Sequence, residues 1–204
     1  MTTGEFSAQI GTGSRASETE RGLSRGMAGM VLFIASEVML FGGLFAAYFF
    51  VRNQADVWPP EGVHQVEAGL GAVLTAILIA SGLIGHTGII AAKKGNQPLF
   101  LLCIGAAILL GLVFIAGQAY EWFELMDHGL TAESGVYGST FYVLTGFHGA
   151  HVIAGLCMLI VVFVRAYWRD FTPARHVFAD ASMLYWHFVD FVWVILYVIL
   201  YGLI

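Results

Sequence analysis

Pro98-Leu99-Phe100-Leu101-Leu102-Cys103-Ile104-Gly105-Ala106-Ala107-Ile108-Leu109-Leu110-Gly111-Leu112-Val113-Phe114-Ile115-Ala116-Gly117 runs on without an Asp, Glu, Lys, Arg or His until Glu121. A helix rises ~1.5 Å per residue, so ~20 such residues cross the hydrocarbon of a bilayer. Four more apolar runs flank this one, and the five cover about 27–51, 68–92, 98–125, 137–164 and 182–204. Even the shortest is long enough to span. In lipid every backbone N–H and C=O must be bonded inside the protein, which leaves helices or closed barrels. Continuous apolar runs lack the alternation of barrel strands. The expected fold is an all-α integral membrane protein with five transmembrane helices.

Composition agrees. Of 204 residues, 58% are hydrophobic and 11% charged, whereas soluble domains carry roughly 25% charge. So much apolar surface does not fit inside a soluble chain of this length. Disorder is excluded for the opposite reason. The net charge of −5 and the scattered nine Lys and Arg residues offer no patch for nucleic acid.

Residues 1–26 are rich in Gly, Ser, Thr and charge, with no apolar core for a signal peptide, and read as a flexible polar tail. The membrane domain is 27–204. Turn signals join its helices: Trp58-Pro59-Pro60-Glu61-Gly62, Gly95-Asn96-Gln97-Pro98, the Asp127–Gly135 stretch and Phe171-Thr172-Pro173. Arg15, Arg21, Arg25, Lys93, Lys94, Arg165, Arg169 and Arg175 fall on one side of the membrane and only Arg52 on the other. The positive-inside rule therefore predicts a cytoplasmic N-terminus and an outside C-terminus. Ala68, Ala72, Ala76 and Ala80 recur every fourth residue and, with Gly82, Gly85 and Gly88, predict a close helix contact. Cys103 and Cys157 lie in apolar runs without ligand spacing and read as buried packing residues. The dense aromatics Tyr185, Trp186, Phe188, Phe191 and Trp193 fit an interfacial belt or a subunit contact equally.

Glu37, Glu121, Glu124 and Asp190 lie within the spans, with His86, His148, His151 and His187. A charge at the bilayer centre costs at least ~2.5 kcal/mol, so these groups should face the bundle or another subunit, paired or neutral. Counting ~1.5 Å per residue puts Glu37, His151 and Asp190 near mid-depth, where they could meet. Glu121 and Glu124 fall toward the outer surface. His148 and His151 are spaced i, i+3, as are His187 and Asp190, so each pair shares a helix face. A network holding the helices in register explains them most simply. Glu37 alone also admits a proton-relay role, and the glycines of the second helix hint weakly at a transporter. A bis-histidine haem would need facing imidazoles, which His86 and His151 would have to supply. A di-iron site needs Glu-x-x-His pairs on helices, and the one present, Glu61 with His64, sits in a Pro-rich loop.

Several strings resemble subunit III of haem–copper terminal oxidases, in the short five-helix bacterial form of cytochrome c oxidase subunit III. They are Gly29-Met30-Val31-Leu32-Phe33-Ile34-Ala35-Ser36-Glu37-Val38-Met39-Leu40-Phe41, Gly117-Gln118-Ala119-Tyr120-Glu121 and Tyr137-Gly138-Ser139-Thr140-Phe141. The longest are Thr145-Gly146-Phe147-His148-Gly149-Ala150-His151-Val152-Ile153-Ala154-Gly155 and Tyr185-Trp186-His187-Phe188-Val189-Asp190-Phe191-Val192-Trp193. They follow the family's order over 27–204 and leave the tail outside.

The resemblance implies a subunit that binds no haem or copper itself. Such a subunit docks on a catalytic subunit I carrying both, beside a subunit II that accepts electrons from cytochrome c. It also implies a V-shaped pair of bundles with phospholipid in the cleft. The five-helix form lacks two N-terminal helices of the longer form, so a neighbouring subunit is a candidate for the missing wall. Glu37 looks like the family's membrane carboxyl, His148 like its partner, and Arg165, just after the fourth helix, like the arginine that holds a lipid headgroup. An arginine there can pair with phosphate while its stem stays in hydrocarbon, or simply anchor the helix.

The reading is thus a chain without a catalytic or metal centre of its own, in a bacterial plasma membrane, serving an oxidase that reduces oxygen and pumps protons. Its expected polar network comprises Glu37, His148, His151, His187, Asp190 and Glu121. Asp170, His176 and Asp180, in the fourth loop, would collect protons at the cytoplasmic surface. The alternatives are subunit III of a quinol oxidase and a haem-binding electron carrier using His86 and His151.

Overall fold

The computed structural model describes residues 25–60, 68–168 and 176–202, all helical apart from short connections. The helices are α1 (Arg25–Arg52), α2 (Ala68–Lys93), α3 (Gln97–Asp127), α4 (Val136–Tyr167) and α5 (Val177–Tyr197), the last continued by a π-helical turn over Val198–Gly202. All five are long and apolar enough to cross a membrane. The tail ahead of Arg25 lies outside the described residues, as do Glu61, His64, Arg169, Asp170 and Arg175.

Local chemistry sets the α2–α3 turn. Gly95, at φ 74°, takes the left-handed conformation that a side chain disfavours. The Gly95 N–H then bonds to Ala92 O at 3.0 Å and the Asn96 N–H to Ala91 O at 2.9 Å, a Schellman closure. The same Asn96 opens α3 by accepting from the Leu99 N–H at 3.3 Å, with Pro98 in the first turn where no donor is lost. Gly129, at φ 83°, ends α3 in the same way.

The α2–α3 hairpin is the most extensive contact, and α5 packs on α4, α2 and α1. Glycines rather than alanines make the close approach. A Cβ at Gly88 would stand 2.9 Å from that of Cys103, and one at Gly85 2.9 Å from Met183 Sδ. Ala68, Ala72 and Ala76 instead face outward, so only the glycine part of the predicted seam is a contact within this chain. The period-four alanine stripe turns away because Gly71, Leu74, Leu78 and Ser81 hold the opposite side of α2 in the core.

Trp186 of α5, fully buried, lies where four helices meet. Its ring fills the space left by Gly111 of α3 and Gly155 of α4, where added Cβ atoms would come within 2.9 and 2.7 Å of it. Its Nε1–H donates to Ser81 Oγ of α2 at 3.2 Å, and Ser81 Oγ donates to Ala107 O of α3 at 2.8 Å. A hydroxyl that both accepts and donates suits a site without water. Helix α1 is the outlier. Only Phe41 and Tyr48 of its residues are buried, and it touches α5 and, lightly, α4.

Three boundary readings change. α5 begins at Val177 rather than 182, because Asp180 is neutralised in its first turn and does not interrupt the helix. Asp180 is therefore helical and not in a loop. Arg165 falls in the last turn of α4 instead of after it. Cys103 is buried but Cys157 is exposed; hydrocarbon accepts a thiol on the outer face as readily as a core does.

Candidate functional site

The polar groups expected to form one network occupy separate places. Glu37 of α1 meets His151 of α4, its Oε2 lying 2.9 Å from His151 Nε2. The other ring nitrogen, Nδ1, is 2.6 Å from Phe147 O. A carbonyl oxygen only accepts, so Nδ1 carries a proton and donates. Nε2 then either accepts from a protonated Glu37 or, as part of an imidazolium, donates to a carboxylate. Both forms leave the pair with no net charge, the condition hydrocarbon imposes. Phe41, one turn beyond Glu37, packs edge-on against the imidazole at 4.9 Å, and the Tyr185 hydroxyl reaches His151 O at 3.4 Å.

His148 is not the partner of Glu37, against the expectation from the resemblance. It is 1% exposed and lies between Phe114 of α3 at 5.9 Å and Trp193 of α5 at 4.9 Å. Neither ring nitrogen has a hydrogen-bond partner among the described residues. Spacing of i, i+3 leaves ~60° between two side chains around a helix axis. On α4 that angle sends His151 toward α1 and His148 toward α3 and α5.

Asp190 and His187 of α5 meet His86 of α2. Asp190 Oδ2 is 3.6 Å from His187 Nδ1, and His187 Nε2 is 3.5 Å from His86 Nδ1. Gly82 of α2 makes this possible, since a Cβ there would overlap the Asp190 carboxylate. His86 thus faces His187, while both nitrogens of His151 are engaged elsewhere. The pair needed for a bis-histidine haem does not converge, and the electron-carrier alternative loses its geometry. Among the described residues no group of three or more His, Cys, Asp and Glu is gathered as metal ligands would be.

Glu121, 2% exposed, forms a third cluster near the far end of α3. Its Oε2 accepts from Gln118 Nε2 at 2.9 Å and from the Tyr201 hydroxyl at 2.8 Å. Tyr201 and Gln118 escaped the sequence reading because a tyrosine or glutamine near a helix end resembles a belt residue. The same holds for Tyr48, whose hydroxyl accepts from Trp58 Nε1 at 3.1 Å, and for Thr75, which accepts from Trp193 Nε1 at 2.9 Å. A polar residue every turn or two in an apolar span was the available signal.

At the opposite end, Asp180 is held by Lys93 Nζ at 3.0 Å and lies 3.3 Å from His176 Nε2. The Arg165 guanidinium sits 5.6 Å from the centre of the Phe178 ring, a cation–π contact linking α4 to α5. Gln97 Nε2 donates to Ala166 O beside it. An apolar groove of 130 Å³ runs between α1 and α4, walled by Leu44, Ala47 and Tyr48 on one side and Ser139, Thr140 and Val143 on the other.

Comparison with known proteins follows the same lines. The family model described as cytochrome c oxidase subunit III matches residues 8–203, so the match takes in most of the 1–26 tail that the motifs leave outside. Cytochrome c oxidase subunit 3 of Corynebacterium diphtheriae is 42% identical over 176 residues, 85% of each chain. The probable cytochrome c oxidase subunit 3 of Mycobacterium tuberculosis is 41% identical over 174 residues, again 85% of each. Cytochrome c oxidase subunit 3 of Synechocystis sp. is 40% identical over 180 residues, 86% of this chain and 74% of the relative. Five membrane-length helices, motifs in the family's order and this likeness along nearly the whole chain lead to one conclusion: the chain belongs to the cytochrome c oxidase subunit III family.

Proposed function

We propose that this chain is the structural, non-redox subunit of a bacterial respiratory oxidase, supporting assembly, lipid retention and durability of the catalytic subunit during proton-pumping turnover. The observation that carries this reading is the likeness to subunit III over residues 8–203. The relatives are named for cytochrome c oxidase, which favours cytochrome c over quinol as the electron donor of the complex. Haem and copper belong in this reading to subunits I and II. The Lys and Arg distribution supports a cytoplasmic N-terminus and a C-terminus outside the plasma membrane.

Within the chain, Glu37 and His151 form a latch between α1 and α4. The groove about two turns away along α1 and α4, with apolar walls and the half-buried Ser139 and Thr140, suits an acyl chain. Arg165 offers its guanidinium to a phosphate headgroup at the cytoplasmic boundary. His176 and Asp180, with Asp170, which lies outside the described residues, form a weaker candidate for collecting protons.

The test is to compare the oxidase with and without this subunit over many turnovers. An unchanged initial rate followed by faster loss of activity is the expected result. Loss of the initial rate would assign the chain a part in the chemistry. Replacing Arg165 by leucine should lower the phospholipid retained by the purified complex; unchanged lipid content would remove that role. Alanine at Asp170, His176 and Asp180 together should shift the pH profile of turnover, and an unaltered profile would end the proton-collection idea.

A further inference from the structure

The His86–His187–Asp190 cluster sits on the outside of the bundle. By the rise per residue, His187 is ~15 Å along α5 from Val177 and His86 ~10 Å from Lys93 along α2, so both lie within the hydrocarbon. His86 is exposed and the His187 side chain is 39% exposed. A groove of 240 Å³ opens here between α2 and α5, lined by Ile79, Leu83, His187, Asp190, Phe191 and Val194. Around the polar centre the wall is apolar and projecting: Leu83 is 63% and Phe191 65% exposed. The outward alanines Ala72 and Ala76 continue the α2 side of the groove.

Lipid tails satisfy no hydrogen bond. Asp190 is buried, its side chain 12% exposed where it lines the groove, and its Oδ1 has no hydrogen-bond partner among the described residues. From Oδ2 a loose chain leads through His187 to His86, whose Nε2 makes no hydrogen bond among the described residues. With a carboxylate at Asp190, an imidazolium balances its charge and His86 Nε2 ends as a donor. With a protonated carboxyl and two neutral imidazoles, each proton points away from Asp190 and Nε2 again ends as a donor. Both cases leave one unfilled hydrogen-bonding position facing out at mid-depth. An uncharged side chain that accepts, a hydroxyl or a carboxamide, fits either and adds no charge to desolvate. Small residues beside the groove let a second helix approach closely, and an apolar rim around a polar centre is the usual form of a helix-docking seam in lipid.

We propose that the α2–α5 groove seats a transmembrane helix of another oxidase subunit, which presents a Ser, Thr, Tyr, Asn or Gln side chain to His86. This rests on the reading of the chain as part of a multisubunit oxidase, and it assigns which face makes the contact.

The test places a photoreactive benzophenone side chain at Leu83 or Val194 in the complete oxidase, in its native membrane. A control carries it at Leu109, an exposed position on α3. Illumination should join Leu83 and Val194 to a transmembrane peptide of another subunit with a hydroxyl or carboxamide within one turn of the adduct. His86→Leu should cut that yield at least tenfold and His86→Gln should retain it, with adducts from Leu109 unaffected by either. Lipid adducts only, an adduct to a second copy of this chain, a peptide without such a side chain, or a yield indifferent to His86→Leu would each overturn the proposal. Co-purification from the same membranes separates the two readings. If the other subunits are recovered but Leu83 labels only lipid, the docking face is wrong; if none is recovered, the oxidase reading itself fails.

Discussion

Glu37→Ala removes the group facing His151 Nε2 while leaving the Nδ1 bond to Phe147 O intact. The imidazole then keeps one half-buried nitrogen in hydrocarbon without a partner, a loss of ~1–3 kcal/mol. The pairwise part is smaller, since side-chain hydrogen bonds between membrane helices average ~0.6 kcal/mol and reach ~1.7 kcal/mol. The upper half of that range applies here, because the two side chains are only 16% and 14% exposed and Phe41 packs over the imidazole. α1 has few other holds, chiefly Phe41 against Phe188 and the Tyr48 hydroxyl on Ile199 O. The change should therefore loosen α1 before the rest of the bundle. The assay is a double-mutant cycle with Glu37→Ala, His151→Ala and both together, unfolded by stepwise addition of SDS and followed by tryptophan fluorescence. A coupling near ~1 kcal/mol is expected. The parallel cycle with His148→Ala should be additive within ~0.5 kcal/mol, as for sites that share no partner. Coupling of Glu37 to His148 and none to His151 would refute the assignment.

Other perturbations follow from particular contacts. Gly155→Leu should destabilise the fold by ~1–3 kcal/mol through collision with Trp186, seen as a lower unfolding midpoint; a midpoint equal to that of the native chain would mean the four-helix contact is looser than described. Trp186→Phe should cost less than Trp186→Ala, which opens a core cavity worth ~3–5 kcal/mol, and equal midpoints for the two would contradict this. Glu121→Leu deprives Gln118 and Tyr201 of their acceptor and should cost ~1–3 kcal/mol, whereas Glu121→Gln should recover most of it. Asn53→Cys should react with an impermeant maleimide from outside the cell and Lys94→Cys only after the membrane is opened; the reverse pattern would invert the topology.

Helix number and span were readable because hydrocarbon imposes a length and an apolar composition that few other folds meet. Which helix faces meet was less readable. In water a polar face points out, but here lipid-facing and core-facing surfaces are both apolar, and periodicity loses its sense of direction. Cys157 reads as a buried packing residue for that reason and lies outward, and the close approach predicted along Ala68, Ala72 and Ala76 is not made within this chain among the described residues. Depth along the axis placed Glu37, His151 and Asp190 at one level, yet depth carries no information on azimuth. They separate into a cluster on α1 and α4 and another on α2 and α5. The depth count brings His151 to Glu37 correctly, whereas the resemblance pairs Glu37 with His148, which lies only ~60° away around α4. Spacing of i, i+3 names a neighbourhood, and only the positions of α1, α3 and α5 around α4 decide which imidazole meets the carboxyl. Asp180 looked like a loop residue because the Lys93 that neutralises it is distant in sequence.

The most direct test of the central claim is to isolate the tagged chain from its own membrane in mild detergent and record the optical spectrum and subunit composition together. Haem absorption that tracks a large partner subunit, with a copper-bearing partner present and no haem left on this chain once it is separated, is the predicted result. A chain recovered alone, or one retaining haem after separation, would contradict it.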